Sequence, residues 1–302
     1  MTRQLVLVHG RSQGRKDSVQ LKAEWIAALK GGLAKSALTL PIGEADIRFP
    51  YYGATLDDLV AARDPSEAAE VVVRGEDADD DEKRFMRAIL EEVRLASGVT
   101  TDQLAEVSNS DVVERGPQNW AWVQAIVSAL DRNVPGASGA SIALATHDVY
   151  VYLRNPAVRD TIEAGVSAAL TPGVEAVVVG HSLGSVVAYN VLRTRGQLMS
   201  WNVPLLVTVG SPLAVAEIRK TLRSIAPMRI PECTRAWYNA VDNRDIVALY
   251  PLAPDTFPID PAIPPITNQT NVQNRTPNRH GISGYLGDPE VAQTIYDALT
   301  SS

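Results

Sequence analysis

Two short runs constrain the fold of this chain most: Leu5-Val6-Leu7-Val8, closed by His9-Gly10, and Ala176-Val177-Val178-Val179, closed by Gly180. Both are continuously apolar and rich in β-branched residues. That is the pattern of a strand buried on both faces of a parallel sheet. Each is followed by residues at helical spacing. Ser18 to Lys35 carries Val19, Trp25, Ile26, Leu29 and Leu33 on a helical period, and Leu183 to Arg195 reads as a second helix. Ala45 to Tyr51, Leu205 to Val209 and Arg235 to Val241 supply further strands, and Glu290 to Leu299 a C-terminal helix. Ser141 to Leu153 fits strand or helix, and Val158 to Leu170 reads as helix. Strands alternating with helices predict an α/β fold, a mainly parallel sheet covered on both faces with right-handed crossovers.

From Gly53 to about residue 140 the pattern changes to helices alone: Glu82 to Leu95, Asp102 to Val107, and Gln118 to Leu130 with Trp120 and Trp122. The expected organisation is one α/β domain over 1–302 with a mostly helical insertion at 53–140. The acidic run Glu76, Asp77, Asp79, Asp80, Asp81 and Glu82 reads as a solvated loop favouring the positive end of the next helix, because a Ca²⁺ loop needs its own ligand spacing and a glycine turn. Prolines at 251, 254, 258, 261, 264 and 265 predict a stiff extended arm, since proline cannot donate to a ladder.

The chain has 28 Lys plus Arg against 35 Asp plus Glu, a formal charge of −7. That balance disfavours a nucleic-acid partner, which calls for a basic face. No apolar run reaches the roughly 18 residues of a membrane span, and the N-terminus reads as a strand rather than a secretory signal. Cys233 is the single cysteine, so no internal disulfide is possible and a cytoplasmic location is the simpler expectation. Asn268-Gln269-Thr270 matches a glycosylation sequon, which without an export signal reads as chance.

The chemistry concentrates around residue 182. Gly180-His181-Ser182-Leu183-Gly184 sits between the Val-rich run and a helix. A serine at such a turn is held strained with its hydroxyl exposed above the sheet, and the flanking glycines allow close backbone approach. The following helix points its first N–H groups and its dipole at the place where an oxyanion would form. The bland alternative, a glycine-rich connection with an incidental serine, is disfavoured by this strand-to-helix context.

These residues, with Leu5 to Gly10, Gly210-Ser211-Pro212, Asp242-Asn243-Arg244-Asp245-Ile246-Val247 and His280-Gly281, resemble the α/β-hydrolase superfamily and within it the lipase- and esterase-like serine hydrolases. The blocks fall in the family's order. The antiparallel strands that open larger members have no room here, so the resemblance implies a reduced sheet of about six strands. A serine nucleophile needs a base oriented by a third group, and the family order is Ser, acid, His. Of the four histidines, His9 starts the oxyanion loop, His181 should leave the turn in another direction from the nucleophile, and His147 precedes the elbow. His280 remains as the base. Asp242 and Asp245 both qualify as the acid, and the spacing of Asp245-Ile246-Val247 resembles the family's acid loop more closely. The oxyanion donors implied are the backbone N–H groups of Leu183 and of Arg11, with Ser12 as the alternative.

The expectation is therefore a carboxylic-ester hydrolase working through an acyl-enzyme on a small-molecule or lipid ester, with catalytic Ser182, His280 and Asp245, no cofactor and no metal. Thioesterase, amidase and acyltransferase chemistry share the same constellation. The rival from another class is a catalytically silent α/β-hydrolase scaffold. The segments 53–140 and 250–279 are the candidate lid elements. Trp120 and Trp122 serve equally as channel lining or as helix packing.

Overall fold

The computed structural model describes residues 3–10, 17–53, 65–75, 78–108 and 120–301. Its strands are β1 Gln4–Val8, β2 Ile47–Arg48, β3 Ala176–His181, β4 Leu206–Val209, β5 Trp237–Ala240 and β6 Ile266–Gln269. All are parallel, in the order β2-β1-β3-β4-β5-β6. The α/β fold with a parallel sheet of about six strands is thus the one observed.

Period-2 alternation assigns the core. Leu5, Leu7, Val177 and Val179 face α1 Ser18–Ala34, α10 Ile282–Leu286 and α11 Pro289–Thr300, where Trp25, Leu29, Tyr285 and Ile295 meet them. Val6, Val8, Val178 and Leu206 face the opposite layer, which includes α8 Leu183–Arg195 and α9 Ala216–Ile225. Every side chain of β1 is buried, so the run can be apolar throughout rather than alternating.

Between β2 and β3 the described residues form helices: α2 Pro65–Arg74, α3 Asp80–Ala96, α4 Thr101–Ala105, α5 Trp120–Asn133, α6 Gly139–Arg154 and α7 Pro156–Ala168. The ambiguous stretch from Ser141 is α6, capped by Ser138, whose hydroxyl accepts from the Ser141 N–H. Its buried residues Ile142, Thr146, Val149 and Leu153 recur with helical period, which settles the ambiguity. The acidic run serves α3. The Asp79 carboxylate caps it by accepting from the Glu82 N–H at 2.8 Å, and Asp80, Asp81 and Glu82 fill the first turn; Glu76 and Asp77 lie outside the described residues. Trp120 and Trp122 pack helices: Trp120 Nε1 donates to the Val73 carbonyl of α2 and Trp122 Nε1 to Glu91 of α3.

Two strand expectations change. The strand expected over 45–51 shrinks to Ile47–Arg48 after a 3-10 turn at Glu44–Asp46, because Pro50 two residues on offers no ladder donor. The proline arm ends in a strand, with Trp237 paired to Ile266 and Ala240 to Gln269. Proline prevents pairing only as far as Pro265.

This topology fixes where a ligand can sit. The chain leaves β1 for β2 on one side and returns as β3 on the other, so strand order reverses between β1 and β3. In open α/β sheets ligands bind outside the carboxyl ends of the strands at such a switch point. His9-Gly10 leaves β1 and Ser182 leaves β3 at this position. No helix among the described residues is long and apolar enough to cross a membrane.

Candidate active site

Ser182 is the first residue past β3. It has φ 53° and ψ −129°, a region that costs a non-glycine residue about 1–3 kcal/mol and persists only where the surroundings enforce it. Here they do. The Ser182 N–H donates to the Val209 carbonyl of β4, and its own carbonyl accepts from the Ser185 N–H and Oγ at 2.9 and 2.6 Å. The Ser185 hydroxyl also bonds that of Ser211, which caps the 3-10 turn Pro212–Ala214.

The glycines act as anticipated, with one difference of partner. A Cβ on Gly180 would lie 2.7 Å from Ser185 Cα, so this residue brings β3 against α8. A Cβ on Gly184 would collide with the Val8 and His9 carbonyl oxygens, so Gly184 seats α8 on β1 rather than on its own strand. Gly10 brings the β1 exit to Ser182, since a Cβ there would lie 2.9 Å from Ser182 Cβ. Leu183 is the first residue of α8, so its N–H has no partner within the helix. Arg11 and Ser12, the expected source of the second oxyanion donor, lie outside the described residues.

Asp245 and His280 meet 35 residues apart in sequence. His280 Nδ1 lies 2.7 Å from Asp245 Oδ2, and the carboxylate side chain is wholly buried. The same Oδ2 accepts from Tyr285 Oη at 2.6 Å, while Oδ1 accepts from the Val247 and Ala248 N–H groups. Burial by itself would raise the Asp245 carboxyl. The facing His280 and the hydrogen bonds from His280, Tyr285 and Val247 outweigh it and hold the group below the ordinary carboxylate range. His280 Nε2, the ring's other nitrogen, is buried and has no hydrogen-bond partner among the described residues; it is not bonded to Ser182 Oγ. Catalytic hydrogen bonds are commonly long before substrate arrives.

Asp242 does something else. It accepts from the Arg244 N–H and guanidinium and, through Oδ2, from the Asn274 N–H at 2.7 Å. Asn274 in turn holds the loop before α10, donating from Nδ2 to the Gly281 carbonyl and accepting from Thr276. Asp242 therefore anchors the loop that carries His280, and Asp245 is the carboxylate that touches the ring.

Four further residues shape the site, and of these only Tyr285 had no sequence signal. Tyr285 gives Asp245 its second donor. Gly210, at φ 56°, leaves the space taken by the Tyr285, His280 and Asp245 side chains; a Cβ there would lie 2.9, 3.2 and 3.3 Å from them. His181 turns away from Ser182, as expected, and its Nε2 donates to the His280 carbonyl at 2.8 Å. His9 stacks on Tyr52 with ring centroids 4.1 Å apart, donates from Nδ1 to the Gly10 carbonyl at 2.5 Å and accepts at Nε2 from the Tyr52 N–H. Burial pushes His9 down to about 4, so its ring is neutral and holds the β1 exit in place.

Ser182 lines a narrow apolar cleft with a cavity volume of about 20 Å³. Ile89 and Val93 of α3, Ile142 and Val149 of α6, Ile218 of α9 and Val247 after Asp245 line it, with Thr146 as a polar wall residue. Neither Trp120 nor Trp122 contributes. Among the described residues no group of three or more His, Cys, Asp or Glu side chains is placed to hold a metal ion. Comparisons with known protein families, curated proteins and solved structures give no match.

Proposed function

We propose that the protein is a serine hydrolase that cleaves carboxylic esters through an acyl-enzyme. The observation that carries this reading is the buried Asp245–His280 pair at 2.7 Å, set at the same sheet edge as a strained serine on a strand-to-helix turn. Acid, imidazole and serine are the three parts that activate a hydroxyl nucleophile. In the proposed reaction His280 Nε2 takes the Ser182 Oγ proton as the oxygen attacks the ester carbonyl. Asp245 stabilises the imidazolium that forms and keeps the second proton on Nδ1. The Leu183 N–H, with that of Arg11, receives the charge on the carbonyl oxygen. His280 then protonates the leaving alcohol, and water repeats the sequence on the acyl-enzyme.

The cleft's lining favours an apolar acyl group, and at about 20 Å³ its walls must part to admit one. Its walls are aliphatic, and each methylene placed there is worth about 0.8 kcal/mol of burial. A small-molecule or lipid ester of an aliphatic acid fits this chemistry. A thioester, or acyl transfer to another acceptor, would use the same groups.

The test pairs labelling with turnover. A fluorophosphonate should modify Ser182 in the folded protein, and Ser182→Ala should lose about 10⁶ in kcat on p-nitrophenyl esters. A series of increasing acyl length then places the optimum. No adduct on folded wild-type protein would mean a silent scaffold, and a Ser182→Ala variant with a tenth of the activity would remove Ser182 from the reaction.

A further inference from the structure

We propose that His181 is a positioning residue: its Nε2–H···O=C bond to His280 ties the main chain of the base to the residue next to the nucleophile, and so sets the Ser182–His280 separation. The inference rests on the serine-hydrolase reading above.

The geometry is specific. His181 ends β3, two residues after Val179 on the same face. Its side chain therefore points toward α1 and α10, away from the cleft, and contacts Trp25 edge-on and Tyr285 at centroid distances of 6.0 and 6.1 Å. The His280 ring lies 4.7 Å away, and the His280 carbonyl is 2.8 Å from Nε2. A carbonyl only accepts, so the His181 proton resides on Nε2. Burial, followed by the nearness of His280, holds His181 down to about 3. It therefore stays uncharged beside the imidazolium that His280 becomes in turnover.

The other bonds of the base loop do a different job. Asn274, Thr276 and Asn278 bond the loop to itself, and Asp242 fastens it beyond the end of β5. Those contacts fix the shape of the loop. The His181 bond fixes its distance from β3, because consecutive Cα atoms put Ser182 about 3.8 Å from residue 181. Displacing a catalytic group by about 1 Å can cost about a hundredfold in rate, which makes this distance worth holding.

The test compares His181→Gln with His181→Asn. Both are amides of similar polarity, but only the Gln amide reaches as far from the backbone as a histidine Nε2. His181→Phe adds a variant that keeps a ring against Trp25 without the donor. The measurements are kcat and KM on the ester wild type turns over fastest, the rate of Ser182 phosphonylation, and the denaturation midpoint. Asn and Phe should lose about 10–100-fold in kcat and in phosphonylation rate, with KM within about twofold. Gln should recover most of the loss. Equal rates in Asn and Gln at matched stability, or a loss confined to KM, would overturn the role of His181 while leaving the hydrolase reading standing. Wild-type protein that takes no phosphonate would overturn the hydrolase reading itself.

Discussion

His9 should make the protein acid-sensitive in a window where carboxylates still hold their charge. It is 2% exposed, and burial lowers its pKa to about 4. In the unfolded chain it returns to about 6.5. Below that value the unfolded state takes a proton that the folded state refuses. Stability is therefore complete above about pH 6.5 and lost as pH falls toward the folded value. Between about pH 7 and pH 5 one such histidine removes about 2 kcal/mol, and His181, held down to about 3, adds about as much again. The result is insensitive to whether the folded value is 3 or 4, since both lie below the window. The assay is denaturant unfolding followed by tryptophan fluorescence at several pH values across this range, for wild type and for His9→Gln. The substitution lowers stability throughout, so the slope is the quantity to read. Over the two units wild type should lose about 2 kcal/mol more than His9→Gln. His147 and His280, each with a carboxylate partner, are present in both proteins and cancel in the difference. An unchanged slope in His9→Gln would refute the buried neutral ring.

Asp245→Asn should lower kcat by about 10⁴ by removing the charge that stabilises the imidazolium, while Asp242→Asn should stay within about tenfold of wild type. The second change instead weakens the Asn274 and Arg244 contacts, at about 1–3 kcal/mol by denaturant unfolding; a reversed ranking in kcat would exchange the two roles. Gly184→Val should cost about 3 kcal/mol or more by driving α8 off the Val8 and His9 carbonyls, and a soluble variant with the wild-type denaturation midpoint would show that the turn tolerates a side chain there.

What was legible in the sequence was local. β1, β3 and β4 are short apolar runs closed by glycine, and such runs announce themselves because both of their faces are buried. The elbow was legible for a related reason: glycines two residues either side of a serine mark close backbone approach, although not that Gly184 approaches β1. β6 was hidden because an edge strand of Ile266, Thr267, Asn268 and Gln269 has one apolar residue in four and follows a proline arm. The stretch that forms α6 was ambiguous because alanine and small polar residues carry little period until packing selects a face. Tyr285 on Asp245 and His181 on His280 were out of reach altogether. They are single contacts across 40 and 99 residues, and only the assembled sheet edge creates them.

The three histidines around this edge show how one side chain takes different roles according to what its nitrogens face. His9 and His181 each give one N–H to a carbonyl, of Gly10 and of His280. A carbonyl fixes a tautomer but gives a protonated ring no anion to offset its burial, so both rings stay neutral. His280 gives its Nδ1 proton to a buried carboxylate, the partner that stabilises a ring while it carries charge. The neutral pair therefore serves as fixed donors holding the β1 exit and the loop before α10, and in the proposed reaction proton transfer is left to His280.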